Sequence, residues 1–232
     1  MTKVYGARAS AVRALDDDSV SFEAQRFTAV IGPSGSGKTT LSQWAAGIDR
    51  PISGRVKIGE AVLGGLSQKQ LAALRCRSVG FVFQSLNMLG SLTAEQNVGL
   101  PLRLDGRRPK RPGLREALGR VGLGDRAGRR PGELPGGQQQ PVAIARALVT
   151  DPDVIFADEP TGALDIRSGR AVLDAPRQSV DAFGQTVVMV THDPAAAARA
   201  DPVVFMADGR LARRLEAASA TQVADWLTQL GD

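Results

Sequence analysis

A phosphate-binding loop at residues 32–39 constrains this chain more than any other feature of its sequence. The residues read Gly-Pro-Ser-Gly-Ser-Gly-Lys-Thr, which matches the pattern of a glycine, four residues and Gly-Lys-Ser/Thr without a substitution. Gly35 and Gly37 allow the backbone to form a tight concave loop whose N–H groups point at one spot. The apolar residues 28–31 precede the loop as a predicted buried strand, and a helix is expected to follow it with its positive N-terminal end at the same spot. Strand, loop and helix therefore come in the order that phosphate binding requires.

The expected ligand of this loop is ATP with Mg²⁺. Lys38 supplies a mobile positive charge for the β- and γ-phosphates, and the hydroxyl of Thr39 is placed to bind the metal ion. The loop alone does not identify a function, because GTPases, kinases, RecA-like motors and transport ATPases share it. A guanine-reading Asn-Lys-x-Asp segment is absent, because none of the five lysines follows an asparagine. ATP is therefore favoured over GTP.

Composition predicts a cytosolic globular protein. The 232 residues are 43% hydrophobic and 23% charged, which is ordinary for one large α/β domain. No apolar run approaches the roughly 18–20 residues that cross a bilayer, and the first 15 residues contain no apolar stretch of signal-peptide type. The single cysteine, Cys76, suits a reducing compartment. If the protein serves a membrane process, we expect another polypeptide to supply the membrane segments.

One segment makes the chain basic. The net charge is +5, and residues 103–130 contain ten Lys/Arg against three Asp/Glu, a net +7. A surface of this kind suits anionic lipid headgroups, a partner or nucleic acid, and equally a solvated arginine-rich face. No aromatic residue lies in the segment, so stacking on single-stranded bases has little support and no nucleic-acid partner is expected.

Strand and helix signals alternate along the chain and predict an α/β fold with a mostly parallel sheet. The predicted strands lie around residues 4–5, 20–23, 28–31, 56–58, 79–83, 154–157 and 186–190. A mainly helical segment covers residues 92–149, and a turn at residues 207–210 predicts a hairpin. Ser219 and Gln222 are spaced as a capping box for a C-terminal helix.

Three polar side chains follow predicted core strands, at the sheet edge where ligands bind in open parallel sheets. Asp158 and Glu159 follow residues 154–157, and His192, the only histidine, follows residues 186–190. Asp158 is expected to hold Mg²⁺, directly or through water, and Glu159 to polarise the water that attacks the γ-phosphate. His192 is placed to hydrogen-bond a γ-phosphate oxygen and that water. The alternatives are an acidic strand end that is merely solvated and a structural histidine.

Two further elements complete a family pattern. Gln84 follows residues 79–83, and its amide oxygen can bind Mg²⁺ without competing for a proton. Residues 134–140 read Leu-Pro-Gly-Gly-Gln-Gln-Gln and open a predicted helix. With the phosphate loop, Asp158, Glu159, residues 163–165 and His192, these pieces resemble the ATPase of ATP-binding cassette (ABC) transporters over nearly the whole chain. Residues 80–84, 92–98 and 161–165 resemble the macrolide-export and lipoprotein-release branch in particular.

The resemblance implies a fold and a mechanism. The fold is a P-loop NTPase (RecA-like) α/β core with a mixed, mostly parallel sheet, an N-terminal antiparallel β-subdomain and an inserted α-helical subdomain. Residues 1–232 would form a single ABC ATPase domain, with a catalytic lobe at about 1–87 and 150–232 and a helical subdomain at about 88–149. Two such cassettes close head to tail, and each ATP lies between the phosphate loop of one and the signature segment of the other.

The resemblance also assigns roles to residues. The nucleotide-binding residues, with the adenine stacked on the tyrosine, are Tyr5, Gly32, Pro33, Ser34, Gly35, Ser36, Gly37, Lys38, Thr39 and Thr40. The catalytic residues are Glu159, His192 and Lys38, and the Mg²⁺ ligands are Thr39, Gln84 and Asp158. The signature segment that contacts the opposing ATP is Leu134, Pro135, Gly136, Gly137 and Gln138. Asp165 matches a loop that communicates between the two sites.

Three prolines depart from the family pattern. Pro135 replaces a serine whose hydroxyl caps the signature helix and contacts the opposing γ-phosphate. The cap alone is worth about 1 kcal/mol, and a hydrogen bond to a charged group roughly 1.5–3 kcal/mol. Pro141 replaces an arginine in the second helical turn, where it removes an N–H and presses on the carbonyl of Gly137, and Pro176 lies inside a helix predicted over residues 168–182. We therefore expect intact ATP binding and reduced hydrolysis.

The expected function is to power a membrane transporter, an exporter or a lipid or lipoprotein mover, from the inner face of the cell membrane as a peripheral cytoplasmic subunit. The expected partners are a second cassette, identical or not, and a separate membrane-spanning permease. One alternative is a soluble ABC ATPase acting on ribosomes or DNA. A single cassette disfavours the former, and the lack of a sustained heptad run disfavours the latter. Another alternative is a catalytically weakened, regulatory cassette that pairs with an active partner.

Overall fold

The computed structural model describes residues 2–5, 12–16, 19–49, 53–162 and 166–231. The strands in these ranges are Thr2–Tyr5 (β1), Val12–Asp16 (β2), Phe27–Ile31 (β3), Lys57–Ile58 (β4), Ala61–Val62 (β5), Val79–Val82 (β6), Val154–Asp158 (β7), Val187–Thr191 (β8), Pro202–Ala207 (β9) and Arg210–Glu216 (β10). The helices are Lys38–Ala45 (α1), Gln68–Ser78 (α2), Ala94–Val98 (α3), Leu100–Leu104 (α4), Arg111–Arg120 (α5), Gly136–Leu148 (α6), Ile166–Phe183 (α7), Pro194–Ala197 (α8) and Ala220–Gly231 (α9). Strands and helices alternate, as expected for an α/β fold.

A six-stranded sheet in the order β10-β9-β3-β8-β7-β6 forms the centre of the molecule. The strands β9, β3, β8, β7 and β6 are parallel, and only β10 runs antiparallel, as the second strand of the predicted hairpin. Every residue of β3, β7 and β8 is buried, because helices cover both faces of a parallel sheet. The predicted mixed, mostly parallel sheet is confirmed.

The strand predicted at residues 20–23 is wrong, because these residues have no regular structure. Val20 and Phe22 are half-buried and pack against the core cluster that contains Trp44. The alternation of apolar and polar residues over 20–23 therefore arises because two side chains contact the core, and not because the segment pairs in a sheet. The antiparallel pair near the N-terminus consists of β1 and β2, in which Tyr5 pairs with Val12.

The helices α3, α5 and α6 enclose a hydrophobic cluster apart from those of the sheet. Its buried members include Ala94, Val98, Leu114, Leu118, Leu134 and Val142. The other end of α6 packs on the sheet, where Ile144 and Leu148 join the cluster of β3, β7 and β8. A Cβ on Gly80 in β6 would lie 2.6 Å from the carbonyl oxygen of Ala147, so this close packing requires glycine. Helix α6 thus joins the helical part to the sheet, and the predicted lobe boundaries at residues 88 and 149 remain a prediction.

Both suspect helices continue through their prolines. Pro141 lies inside α6 and Pro176 inside α7. A proline has no N–H to donate, so the carbonyl of Gly137 lacks the usual helical donor four residues later. The free-energy cost expected for these two prolines therefore arises inside continuous helices and not at helix ends.

The C-terminal helix α9 begins at the predicted capping box. The N–H of Ser219 donates to Oε1 of Gln222 over 2.9 Å, and the N–H of Gln222 donates to Oγ of Ser219 over 3.3 Å. The fully buried Val223 and the ring of Trp226, whose centroid lies 6.5 Å from that of Phe205, hold α9 against the sheet. Within the described ranges, no helix has both the length and the hydropathy needed to cross a bilayer.

One buried amide fixes the segment that leads from β6 into the helical part. Asn97 in α3 is completely buried, and its Oδ1 accepts a hydrogen bond from the N–H of Leu89 over 2.9 Å. Its Nδ2 lies 3.0–3.2 Å from the carbonyl oxygens of Leu89, Leu92 and Thr93. These four hydrogen bonds tie both ends of the segment 89–93 to one buried side chain.

We predict that Asn97→Ala lowers the free energy of unfolding by about 2–4 kcal/mol, because the substitution leaves a buried N–H and several carbonyls unpaired. Urea denaturation followed by circular dichroism measures the change. The control is Leu104→Ala, which removes a side chain that is 78% exposed and should stay within about 0.5 kcal/mol of the wild type. A loss below about 1 kcal/mol for Asn97→Ala would contradict this account of the segment.

Candidate functional site

The loop between β3 and α1 has the conformation that its glycines predict. Gly35 and Gly37 have φ angles of +81° and +94°, in the left-handed region that favours glycine. A Cβ on Gly32 would lie 2.0 Å from the carbonyl oxygen of Met206, so the base of the loop packs directly on β9. The N–H of Gly209 also donates to the carbonyl of Ser36 over 3.2 Å. Backbone contacts with the neighbouring hairpin thus hold the loop in place.

Lys38 folds back into this loop. Its Nζ donates to the carbonyl oxygens of Gly32 and Pro33 over 2.9 and 2.8 Å, and to Oγ of Ser36 over 3.3 Å. The residue is only 8% exposed. Burial lowers the pKa of Lys38, and the carboxylates of Glu159 and Asp158 oppose this shift. The ammonium group therefore lies inside the loop, where backbone carbonyl oxygens and not anionic groups accept its hydrogen bonds.

The remaining predicted loop residues lie around this ammonium group. Pro33, Ser34 and Gly35 form the exposed outer side of the loop, and Thr40 is half-buried in the first turn of α1. Tyr5 ends β1, and its side chain lies outside the described residues, as does the whole of Asp165.

Asp158 ends β7 beside the first turn of α1. Its Oδ1 lies 3.3 Å from Oγ1 of Thr39, and the residue is 8% exposed. Burial raises the pKa of the Asp158 carboxyl, the hydrogen bond from Thr39 lowers it, Glu159 raises it and Lys38 lowers it. Because burial is the largest of these causes, ionisation of the carboxyl carries a free-energy cost in the folded protein.

Glu159 and His192 form a close pair across two neighbouring strand ends. Nδ1 of His192 lies 2.6 Å from Oε2 of Glu159. The Glu159 side chain is 15% exposed and the His192 side chain 68% exposed. Glu159 has a φ of +49°, and its N–H donates to the carbonyl of Val190 in β8 over 2.9 Å. The backbone of β8 therefore fixes the turn that aims the Glu159 carboxylate at the imidazole.

Local hydrogen bonds also fix the backbone around His192. Thr191 is buried, and its Oγ1 accepts the N–H of Asp193 over 3.1 Å. Asp193 caps α8, because its Oδ1 accepts the N–H of Ala195 over 2.9 Å. The imidazole is thus carried on a defined turn at the end of β8, although the side chain itself faces solvent.

Gln84 follows β6, the strand next to β7. It is exposed, and a Cβ on Gly162 would lie 3.2 Å from its Nε2. The amide therefore lies beside the turn that begins at Glu159. The carboxyl ends of β3, β6, β7 and β8 bring the predicted loop, amide, carboxylate and imidazole groups to one edge of the sheet.

An arginine that the sequence did not single out holds the segment after Gln84. Arg146 in α6 donates from Nη1 to the carbonyl of Asn87 over 2.7 Å and from Nη2 to that of Leu86 over 3.0 Å. Burial lowers the pKa of Arg146. The only sequence signal was a charged residue within the apolar residues 142–149, which does not reveal a tertiary partner. Arg146 links α6 to the loop that leaves the candidate site.

The Leu-Pro-Gly-Gly-Gln segment starts α6. Leu134 is buried in the helical part, and Pro135 occupies the N-cap position without a side-chain hydrogen bond. Gly136 is exposed and Gly137 is half-buried, so the start of the helix, where the first backbone N–H groups have no partner within the helix, reaches the surface. Oε1 of Gln138 has no hydrogen-bond partner among the described residues.

The basic residues 103–130 belong to α4, α5 and the loops of the helical part. Several are paired locally: Arg111 and Arg115 lie 3.1 and 3.7 Å from Glu95, and Arg107 lies 2.9 Å from Asp105. These pairs neutralise part of the surface. The expectation that no nucleic acid binds there remains a prediction.

Comparison with known proteins gives consistent matches. Residues 15–162 match the model of the ABC transporter family. The chain is 45% identical over 216 residues to the macrolide export ATP-binding/permease protein MacB of Hyphomonas neptunium, covering 91% of this chain and 33% of that protein. It is 48% identical over 212 residues to MacB 1/2 of Paracoccus denitrificans, covering 89% and 31%. The chain thus spans about a third of the length of these relatives.

A solved structure matches over almost the full chain. It is the dimeric structure of a post-hydrolysis state of an ATP-binding cassette bound to ADP and Pi, with a TM-score of 0.85 and 35% identity. The match covers 94% of this chain and 97% of that one.

We predict that Asp158→Asn raises the melting temperature of the nucleotide-free protein at pH 7. The raised pKa means that ionising Asp158 costs more free energy in the folded state than in the unfolded state. Ionised Asp158 therefore destabilises the fold at a pH above its pKa in the folded protein, and this destabilisation disappears when the carboxyl is protonated at low pH. Each kcal/mol regained corresponds to about 2–4 °C for a protein of this size. Scanning fluorimetry from pH 4 to 8 measures the effect, with the exposed Asp153→Asn as control. A destabilised Asp158→Asn variant, or a gain that does not shrink at low pH, would contradict the assignment.

Proposed function

This chain belongs to the ABC transporter family, and we propose that it is the ATP-binding and ATP-hydrolysing part of a membrane transporter. The observation that carries the proposal is the meeting of Lys38, Thr39, Asp158, Glu159 and His192 at one sheet edge. Together they offer a cation for phosphates, oxygen ligands for a metal ion and a carboxylate for water activation. The match to an ADP- and Pi-bound cassette supports the same chemistry.

ATP binding would replace the internal partners of Lys38. Its Nζ lies on the carbonyl oxygens of Gly32 and Pro33, which are weaker partners for a cation than phosphate oxygens. The N–H groups of the loop and of the first turn of α1 supply further donors to the phosphates. Residues 32–40 would bind the triphosphate, and Tyr5 would stack on the adenine.

The residues beside the loop fit Mg²⁺. Oγ1 of Thr39 and Oδ1 of Asp158 lie 3.3 Å apart, and both are the oxygen donors that Mg²⁺ prefers. Few protein ligands suffice, because phosphate oxygens and waters complete the octahedron. When bound, Mg²⁺ neutralises charge on the β- and γ-phosphates and compensates the buried Asp158. Gln84 is the proposed third protein ligand, directly or through water.

Glu159 is the proposed base for water attack on the γ-phosphate. Its carboxylate lies next to the end of β7 and is held by the imidazole of His192 at 2.6 Å. One ring nitrogen faces Glu159, so the other is free to face a γ-phosphate oxygen. His192 would thus orient the base and bind the phosphate with one ring.

The start of α6 is the proposed site for the ATP of a second cassette. Within one chain, β6 lies three strand positions from β3, about 14 Å away. Gly136 lies a further 11 residues, about 16 Å of helix axis, from Ala147, which contacts β6. The outward N–H groups of Gly136 and Gly137 therefore suit the phosphate of an opposing copy, and Asp165 would lie between the two sites.

A groove beside the candidate site is the proposed contact for the permease. It encloses about 350 Å³, and Arg146, which holds the segment after Gln84, is part of its lining. Its apolar lining residues include Ile48, Phe81, Phe83, Leu100 and Leu104. Ile48 is 41% exposed and Leu104 78% exposed, so a partner would bury new apolar surface there. The relatives named above are macrolide export ATP-binding/permease proteins, which supports an export role for this chain, and the inner face of the membrane is its proposed location.

We predict that Glu159→Gln retains ATP and forms an ATP-dependent dimer but releases no phosphate. The amide keeps the shape of the side chain but cannot polarise water, and a loss of at least about 100-fold is expected. Analytical ultracentrifugation and a steady-state phosphate assay measure the two effects. Glu116→Gln, which removes an exposed carboxylate on α5, is the control and should keep wild-type turnover. Unchanged phosphate release from Glu159→Gln would remove this residue from the role of base.

A weakened, regulatory cassette is the second candidate, and the missing side-chain cap at Pro135 favours it. The double variant Pro135→Ser, Pro141→Arg restores a capping hydroxyl and a helical N–H. We expect its steady-state ATPase rate to rise about tenfold or more, because closure of the dimer becomes more favourable. A variant no faster than the wild type would show that the prolines do not limit the reaction.

A further inference from the structure

The start of α6 lacks the contact that usually holds a helix N-terminus. Pro135 has no side-chain donor or acceptor, and the first helical residues are two glycines with wide conformational freedom. The N–H of Gln138 donates to the carbonyl of Pro135 over 2.8 Å. A contact from another side chain would add to this bond in fixing the direction of the first turn.

Gln139 supplies such a contact. It lies in the first turn of α6, and its side chain turns back to the segment before the helix. Nε2 donates to the carbonyl oxygen of Pro131 over 3.0 Å and to that of Leu134 over 3.2 Å. The side-chain amide of Gln139 thus donates two hydrogen bonds to residues that precede Pro135.

The segment that Gln139 holds is itself well anchored. It forms a 3₁₀ turn over Pro131–Glu133, in which Oε2 of Glu133 accepts the N–H of Arg130 over 2.9 Å. The N–H of Leu134 closes the turn on the carbonyl of Pro131 over 3.1 Å, and Leu134 is buried in the helical core. Gln139 therefore ties the first turn of α6 to a fixed support and not to a free loop.

We propose that Gln139 is a positioning residue for ATP-driven dimer closure, because it supplies the anchorage of the first turn that a capping side chain at position 135 would otherwise supply. It directs the N–H groups of Gly136 and Gly137 toward the phosphate of the opposing copy. The proposal rests on the proposed function, because it assigns a role to the surface that meets the second ATP. Gln139 does not touch the nucleotide, so its loss affects closure and leaves binding to the monomer's own loop intact.

The test uses Gln139→Met in the Glu159→Gln background, where the ATP-bound dimer accumulates. Methionine keeps the length of the side chain and removes both donors. We expect the dimer dissociation constant with Mg²⁺-ATP to rise about tenfold or more, with the ATP affinity of the dilute monomer unchanged. Sedimentation velocity and calorimetry measure the two constants.

Gln96→Met is the matched control. It removes a capping amide, bonded to the N–H of Thr93 over 2.9 Å, from α3 in the same helical part. A general loss of stability in this part would weaken the dimers of both variants equally, and that result would overturn the proposal. An unchanged dimer for Gln139→Met would overturn it as well.

A double-mutant cycle tests whether the effect of Gln139 on the dimer depends on the missing cap at position 135. In the Pro135→Ser background the cap is restored, so Gln139→Met is expected to weaken the dimer by less than about threefold. An equal loss in both backgrounds would contradict the claim that Gln139 replaces the cap. Hydrogen exchange at residues 136–138, faster in Gln139→Met than in the parent, gives a second readout in the monomer. If the Glu159→Gln parent forms no ATP-dependent dimer, the proposed function itself fails and the inference falls with it.

Discussion

The candidate site depends on how two buried charged groups, the ammonium of Lys38 and the carboxylate of Asp158, are compensated. Lys38 avoids an unpaired charge by bonding to the backbone of its own loop, and Asp158 bonds to Thr39. Burial opposes both charged forms, since it lowers the pKa of Lys38 and raises that of Asp158. The proposed binding of ATP and Mg²⁺ would therefore compensate both buried charges, and the surrounding sheet supplies the stability that their burial costs.

The sheet explains why these groups meet. Parallel strands end at one edge, so residues that are more than 30 positions apart along the chain arrive together. The buried strands β3, β7 and β8 leave little freedom for the turns that follow them, and the bond from Glu159 to the backbone of β8 fixes one turn against the next. Rigid support of this kind is what a catalytic arrangement needs, because small displacements of the reacting groups are costly.

Helix α6 connects the signature segment to the sheet. One end begins at Gly136 and Gly137 of the signature segment, and the other packs on β6 through Gly80 and Ala147. Arg146 extends from the same helix to the loop that follows Gln84. A movement of α6 would therefore shift the signature segment and the wall of the apolar groove together. This shared element gives a physical route by which ATP binding would act on a permease.

The sequence predicted most of the sheet and the residues at its edge, because the phosphate loop and the strand-end carboxylates combine local conformation with chemistry. It failed at residues 20–23, where alternating apolar residues contact the core without a pairing strand. It gave no signal for the hydrogen-bond partners of Arg146 or of Gln139, since both depend on which carbonyl groups the tertiary fold brings near. It marked Pro141 and Pro176 as costly positions inside predicted helices, and the structure has both prolines inside helices.

The most direct test of the central claim is calorimetric titration of the purified protein with ATP, with and without Mg²⁺. The account predicts Mg²⁺-dependent binding to the wild type and a loss of at least about 100-fold in affinity for Lys38→Ala, because the loop then lacks its charge for the phosphates. Lys3→Ala, which removes a lysine outside the loop, should bind as the wild type does. Binding that persists unchanged in Lys38→Ala, or no binding to the wild type, would contradict the account.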